Sequence, residues 1–397
     1  MDIYTKVLVL AVIILSGYLG GRLLRLLKMP MVVGYLVAGM ILGPSITGYV
    51  TLEMNSELEL VKILGLGMIA ILIGGELELK KIKHLSRAIF GITIVQVLGA
   101  AIVVFVVMYF VVQLPLTMSL LLGALATATA PASPVAVIRE YNARGPFTST
   151  LLGVVALDDA ICILFFGLVS AVVALLLGGM SVSLGAIMFA LSEVGFSILL
   201  GIATGVTLTL VFPRLINRRH KVTVLLGVVL LNSGLAYAYH LSPLMVNMVC
   251  GFVIANLYRK PDELNFLEDV EMPIILIFFT LAGASLQFDI LFENWLWAAV
   301  YILARGFGKV GGAFLGARLV GAEEVVQKYL GFAMFSKAGL TIGLLMLVTD
   351  RFPELAVTIV AIELAAVSVC ELIGPLGTRF AILKSGEAYN SVLGSSK

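Results

Sequence analysis

The sequence predicts an all-α polytopic membrane protein of thirteen transmembrane helices, built as two inverted six-helix repeats joined by a linker helix. Three observations predict it. Hydrophobic residues make up 60% of the 397 positions and charged residues 13%, whereas a soluble domain carries about a quarter charged; the mean hydropathy is +1.10. Apolar windows long enough to cross a bilayer recur along the whole chain. The basic residues gather on alternate connections between those windows.

A window of roughly 19 residues gives spans at 5–26, 30–47, 57–76, 88–112, 116–138, 147–177, 183–212, 222–240, 242–258, 271–288, 293–316, 327–349 and 354–378. The first is not a secretory leader, because Leu8–Leu27 runs into basic residues without a small-residue cleavage site. Alternate connections hold Arg22, Arg25 and Lys28, then Lys80, Lys81, Lys83 and Arg87, then Arg139 and Arg144. The same side continues with Arg214, Arg218, Arg219 and Lys221, then Arg259 and Lys260, Arg318 and Lys328, and the tail. Opposite connections hold Arg351, with Lys6 and Lys62 close by. Basic loops stay cytoplasmic, so the N-terminus is expected outside and the C-terminus inside, which requires an odd number of spans. The net charge of +2 implies no nucleic-acid partner. Cys162, Cys250 and Cys370 fall within apolar spans without metal-ligand spacing and read as small buried hydrophobes.

Leu72-Ile73-Gly74-Gly75-Glu76-Leu77 in the third span matches Leu281-Ala282-Gly283-Ala284-Ser285-Leu286 in the tenth at an offset of 209. Leu122-Gly123 in the fifth matches Leu330-Gly331 in the twelfth at an offset of 208. Seven crossings separate the matched spans, so the repeats run in opposite orientation. Such repeats with interrupted helices point to a secondary transporter's binding site. The predicted organisation is one transmembrane transporter domain over 1–384, with repeats at about 5–177 and 222–378, a linker helix at about 183–212, and a short cytoplasmic tail at 385–397.

Asp158 and Asp159 sit inside the apolar stretch Leu151–Val169, where two carboxylates are costly and mark a functional site. The preceding span is predicted to break at Pro131 and Pro134, freeing carbonyls from Thr127 to Ala130. Thr127, Thr129 and Ser133 add hydroxyl oxygens. The matching region, Phe335 to Thr341, is expected to unwind and cross it, with Lys337 offsetting the negative helix ends. Neighbouring aspartates diverge by about 100° around a helix, so one is expected to bind a cation or proton and the other to pair with a buried cation. Lys309, among the glycines of Arg305-Gly306-Phe307-Gly308-Lys309-Val310-Gly311-Gly312, is that cation. The dinucleotide-like spacing Gly306-x-Gly308-x-x-Gly311 lacks a preceding strand and reads as helix packing. His84, His220 and His240 read as solvated span-end residues. Glu76 reads as an interface residue or part of the ion route, and Glu193, Glu363 and Glu371 as partners of Arg305, Lys337 or helix N-termini.

At these residues the chain resembles the monovalent cation–proton antiporter superfamily, in its two-aspartate branch of Kef-type and Nap-type transporters. The resemblance runs from Met29-Pro30-Met31-Val32-Val33-Gly34-Tyr35 and Leu42-Gly43-Pro44 through Leu72 to Leu77 and Ala156-Leu157-Asp158-Asp159-Ala160. It continues to Gly308-Lys309-Val310-Gly311 and Glu371-Leu372-Ile373-Gly374-Pro375. It implies the Na+/H+ antiporter fold and a homodimer in which a mobile six-helix core moves against a dimerisation domain. It also implies Asp159 as main cation and proton carrier, with Asp158 paired to Lys309. Where many relatives read Thr-Asp-Pro-Val-Ala, this chain has Ala132-Ser133-Pro134-Val135-Ala136, and Ser336-Lys337-Ala338 stands where Pro-Arg-Gly is common. Those departures change the charge balance of the crossing and leave ion choice open. Kef-type members often continue into a nucleotide-binding domain, which is not expected here.

The expected function is therefore an electrogenic sodium–proton antiporter of the cell membrane, working by competition of cation and proton for Asp159. Its partners are lipid, small monovalent cations and protons, and Asp158 and Asp159 hold the Na+ or K+. No cofactor and no enzymatic activity are expected. Potassium–proton exchange is the alternative within the family; a sodium-coupled organic-solute symporter is the alternative from another class.

Overall fold

The computed structural model describes residues 3–27, 29–77, 86–177, 183–215, 217–258, 268–286, 295–337 and 339–388. Among these the chain is all-helical. The first half contains α1 (Ile3–Leu26), α2 (Met31–Leu42), α3 (Leu52–Glu57), α4 (Glu59–Glu76), α5 (Ser86–Val106), α6 (Leu116–Leu125), α7 (Ala132–Glu140) and α8 (Pro146–Leu176). The second contains α9 (Ser183–Val211), α10 (Arg218–Ala238), α11 (Pro243–Leu257), α12 (Glu268–Ala284), α13 (Trp295–Leu319), α14 (Glu324–Tyr329), α15 (Gly339–Arg351) and α16 (Pro353–Ser385). Among the described residues seven helices are long and apolar enough to cross a membrane: α1, α5, α8, α9, α10, α13 and α16. Shorter apolar helices include Met31–Leu42, Leu116–Leu125 and Pro243–Leu257.

The chain divides into two compact units, and each draws on both halves of the sequence. The first comprises Met1–Lys83 and Glu193–Leu286. Its helices cross backbone to backbone: a Cβ on Gly39 of α2 would lie 1.9 Å from the Thr280 carbonyl oxygen of α12, and one on Gly74 of α4 would lie 1.9 Å from the Met248 carbonyl of α11. Met68, Leu72, Phe212, Val229 and Ile254 fill its core.

The second unit comprises His84–Ser192 and Gln287–Lys397. Here α5 lies directly on α13, where a Cβ on Gly308 would meet the Gly99 carbonyl at 2.7 Å. Only glycine permits that approach, and it carries the polar residues of α5 and α13 into one layer. Leu121, Phe166, Ile359 and Ile362 pack the interior beside them.

Two helices of this unit are interrupted. α6 stops at Leu125 and α7 starts at Ala132, so the break covers 126–131. This corrects the sequence reading for Pro134, which lies in the first turn of α7 rather than at the break. First-turn N–H groups have no intrahelical partner, so a proline there costs no hydrogen bond. The second interruption follows the 3₁₀ turn Leu330–Met334 and includes 335–337 before α15. The Ala130 amide donates to the Ser336 carbonyl at 3.0 Å, tying one interruption to the other.

α8 begins with Pro146 in its first turn, and its free amides find an acceptor far along the chain. α16 ends at Gly386, whose left-handed φ of 74° reverses the backbone. Glu387 then accepts from the Phe147 and Thr148 amides and the Thr148 hydroxyl, each at 2.7 Å. Glu387, expected only as part of a short tail, thus caps the helix that carries the aspartate pair.

Candidate functional site: a buried charge layer at two helix breaks

One face of α13 carries Tyr301, Arg305 and Lys309 at four-residue spacing, which stacks them along the helix. All three are fully buried, and each reaches a different partner.

Arg305 serves the interruptions. Its Nε donates to the Ala126 carbonyl at 3.0 Å and Nη2 to the Ala128 carbonyl at 2.7 Å. Nη1 donates to the Phe335 carbonyl at 2.8 Å. The guanidinium fork therefore satisfies carbonyls of both breaks that lost their helical partners, which lipid cannot do. Of the partners the sequence left open for the buried glutamates, Arg305 takes none: among the described residues it makes no salt bridge.

Lys337 is the second correction. Its ammonium pairs with Glu363 of α16 and donates to the Tyr301 hydroxyl oxygen at 2.6 Å rather than offsetting the helix ends. Tyr301 in turn donates to Glu363. The positive charge expected to offset the helix termini comes from Arg305 and Lys309 instead. The pairing of Glu363 with Lys337 is one of those the sequence allowed.

Lys309 donates to the Thr127 carbonyl and, at 2.6 Å, to the Thr129 hydroxyl. Its Nζ stands 3.6 Å from Asp158 Oδ2. The Thr127 hydroxyl is turned back to the Ala124 carbonyl at 2.6 Å, so the residue offers the site its carbonyl. Ser133 reaches Ser336 hydroxyl to hydroxyl at 2.7 Å, a neutral clasp between the two breaks.

Both aspartates are turned inward. The outer face of α8 runs through Leu157 and Leu168, while Asp158 is 0% exposed and Asp159 2%. The nearer partner of Asp158 is Gln96 of α5, whose Nε2 donates to Oδ1. Gln96 carries no charge and no motif, and the sequence reading passed over it. Asp159 Oδ1 is buried without a hydrogen-bond donor, and so is Oε2 of Glu371. Glu76 closes α4 in the first unit, and its side chain lies outside the described residues. Glu193 lies in α9, where the first unit resumes. His220 and His240 are exposed at the ends of α10, and His84 lies outside the described residues.

Chemically, this is a buried layer in which Asp158 takes an amide on Oδ1 and faces a lysine 3.6 Å from Oδ2, while Asp159 beside it has no donor on Oδ1. An uncommitted buried carboxylate is costly unless it takes up a proton or a cation. The oxygens that Lys309 holds beside the aspartate pair, the Thr127 carbonyl and the Thr129 hydroxyl, come from the helix break and are the hard donor type that small metal cations favour.

The family model described as sodium/hydrogen exchanger, transmembrane, matches residues 10–382. The ammonium/proton antiporter subunit AmhT of Alkalihalophilus pseudofirmus is 22% identical over 298 residues, covering 72% of this chain and 71% of that protein. The sodium proton antiporter MjNhaP1 from Methanocaldococcus jannaschii at pH 8 superposes with a TM-score of 0.71 at 16% identity, over 96% of both chains. An electron-microscopy structure of the same antiporter gives 0.76 at 17% identity over the full length of both. Those structures share the fold, and the family match extends over nearly the whole sequence. The chain belongs to the sodium/hydrogen exchanger family: it is a membrane cation–proton antiporter, a transporter and not an enzyme.

Proposed function

We propose that the chain exchanges Na+ for protons electrogenically, with Asp159 as the group that carries either ion. The observation that carries the reading is the Asp159 carboxylate, 2% exposed with Oδ1 lacking a donor, beside an Asp158–Lys309 pair at 3.6 Å. An empty, charged Asp159 is costly to move through the hydrophobic barrier, whereas a site neutralised by proton or cation passes. Mutual exclusion at one carboxylate is sufficient for coupling.

Lys309 supplies the second charge. Its ammonium occupies the Thr127 carbonyl and the Thr129 hydroxyl, the oxygens an arriving cation would take. Cation entry therefore competes with the lysine for ligands, and release of the lysine proton would make the exchange two protons per cation. Gln96 and Ser133 complete the surroundings without adding charge.

Thirteen crossings, the N-terminus outside and a homodimer complete the reading. The inverted repeats are supported by one contact: Gly99 and Gly308, packed against each other, stand 209 residues apart. That is the offset of the sequence repeat, and two-fold-related residues meet each other at the symmetry axis.

Potassium is the second reading for the cargo, and ammonium joins it because it is named for the Alkalihalophilus relative. Proteoliposomes with an internal pH dye, challenged with Na+, K+, Li+ and NH4+ with and without a clamped potential, decide among them. Asp159→Asn should abolish coupled exchange with each cation; retained exchange overturns the carrier assignment. A transport current unchanged in Lys309→Ala removes the lysine from the stoichiometry.

A further inference from the structure

Gln96 makes one hydrogen bond through its side chain and leaves the other end unused. Its Nε2 donates to Asp158 Oδ1, while its Oε1 is buried without a partner. The orientation is dictated by chemistry, since a carboxylate only accepts and the amide oxygen would be repelled. A fully buried amide with an orphaned oxygen works against stability, so packing alone does not account for glutamine here. The backbone brings it to its place: a Cβ on Gly312 of α13 would lie 2.8 Å from Gln96 Cα. Gln96 also stands 209 residues before Arg305, so each repeat puts a polar donor at the same position of its helix. Arg305 turns to the helix breaks, and Gln96 turns to the aspartate pair.

Asp158 thus has two holders of different kinds. Lys309 is charged, sits at 3.6 Å, and directs its shorter bonds to Thr127 and Thr129. Gln96 is neutral, cannot titrate, and makes the shorter contact. We propose that Gln96 is a positioning residue for transport: it keeps Asp158 in place through the step in which Lys309 lets go, and so sets the affinity of the neighbouring cation site. The inference rests on the proposed coupling of Asp158 with Lys309. The ionisable groups that act on the Asp158–Lys309 pair are Asp159 and Cys162 on α8 and Arg305 on α13.

The test uses the full chain in proteoliposomes, with Na+ as probe, and thermal unfolding as a check of folding. Gln96→Leu removes both donor and orphan; the expected result is a rise of about tenfold in the apparent cation KM, the scale of lost outer-shell support at metal sites, with maximal rate kept. Gln96→Glu is isosteric and donates only while protonated. Its KM should match the parent's at acidic pH and exceed it increasingly as pH rises. In an Asp158→Asn background, read by Na+-induced thermal stabilisation, Gln96→Leu should change nothing further. A parent-like KM in a folded Gln96→Leu protein overturns the proposal. So does a Gln96→Glu-to-parent KM ratio that is constant across pH, or an equal loss with and without Asp158. Any of these alongside a dead Asp159→Asn protein sinks the Gln96 role and leaves the carrier assignment standing.

Discussion

Arg305 offers the most quantitative check on how the interrupted helices are held. Replacing it with Met keeps most of the volume and removes every donor. The Ala126, Ala128 and Phe335 carbonyls, bonded at 3.0, 2.7 and 2.8 Å, then lose their partner. A buried polar group left unpaired costs about 1–3 kcal/mol, so three amount to roughly 3–9 kcal/mol if they add. They share one partner and will not be fully additive, which puts the expected loss toward the low end, about 3 kcal/mol. Arg305→Lys keeps the charge but replaces a rigid fork with a point donor, and one ammonium cannot reach both breaks as the fork does. The order of thermal stability in a fixed detergent should be parent, then Lys, then Met, with exchange lost in the Met variant. A Met variant melting with the parent would refute the assignment of Arg305 as the group that satisfies the breaks.

Two further outcomes follow from buried contacts. Lys337→Met strands the Glu363 carboxylate in a fully buried position, a loss of about 3–5 kcal/mol. Lys337→Met/Glu363→Met should lose less than the sum of the single variants, as read by thermal unfolding; simple addition would mean the two do not interact. Glu387→Ala leaves the Phe147 and Thr148 amides without their acceptor. A lost cap costs about 1–2 kcal/mol, so hydrogen exchange at the start of α8 should accelerate. Unchanged protection there would show that water replaces Glu387 without loss.

The parts of this protein that were readable in sequence are those where composition and chemistry conflict. Asp158 and Asp159 stand out because a carboxylate in an apolar stretch needs a reason, and Lys309 stands out for the same cause. The interruption near Pro131 was readable because proline removes a donor. Its limits were not, since Pro134 falls where a helix tolerates it. The role of Arg305 was not readable because sequence counts charges, while its partners are backbone carbonyls that look alike at every position. Gln96 was invisible for a related reason: it is uncharged, and its partner lies 62 residues away on another helix. Glu387 looked like an ordinary tail acid, because a cap spanning 239 residues leaves no local pattern. Contacts between distant segments decide these roles, and periodicity does not encode them.

The central claim is that proton and cation exclude one another at Asp159, and the pH dependence of the apparent cation KM tests it most directly. Competition at one carboxylate predicts that KM rises as pH falls, by at least about tenfold per pH unit once the proton dominates at Asp159 and more steeply where Lys309 also gives up its proton, while the maximal rate at saturating cation holds steady. A KM that stays constant across pH while the maximal rate changes would contradict the account, because proton and cation would then occupy separate sites.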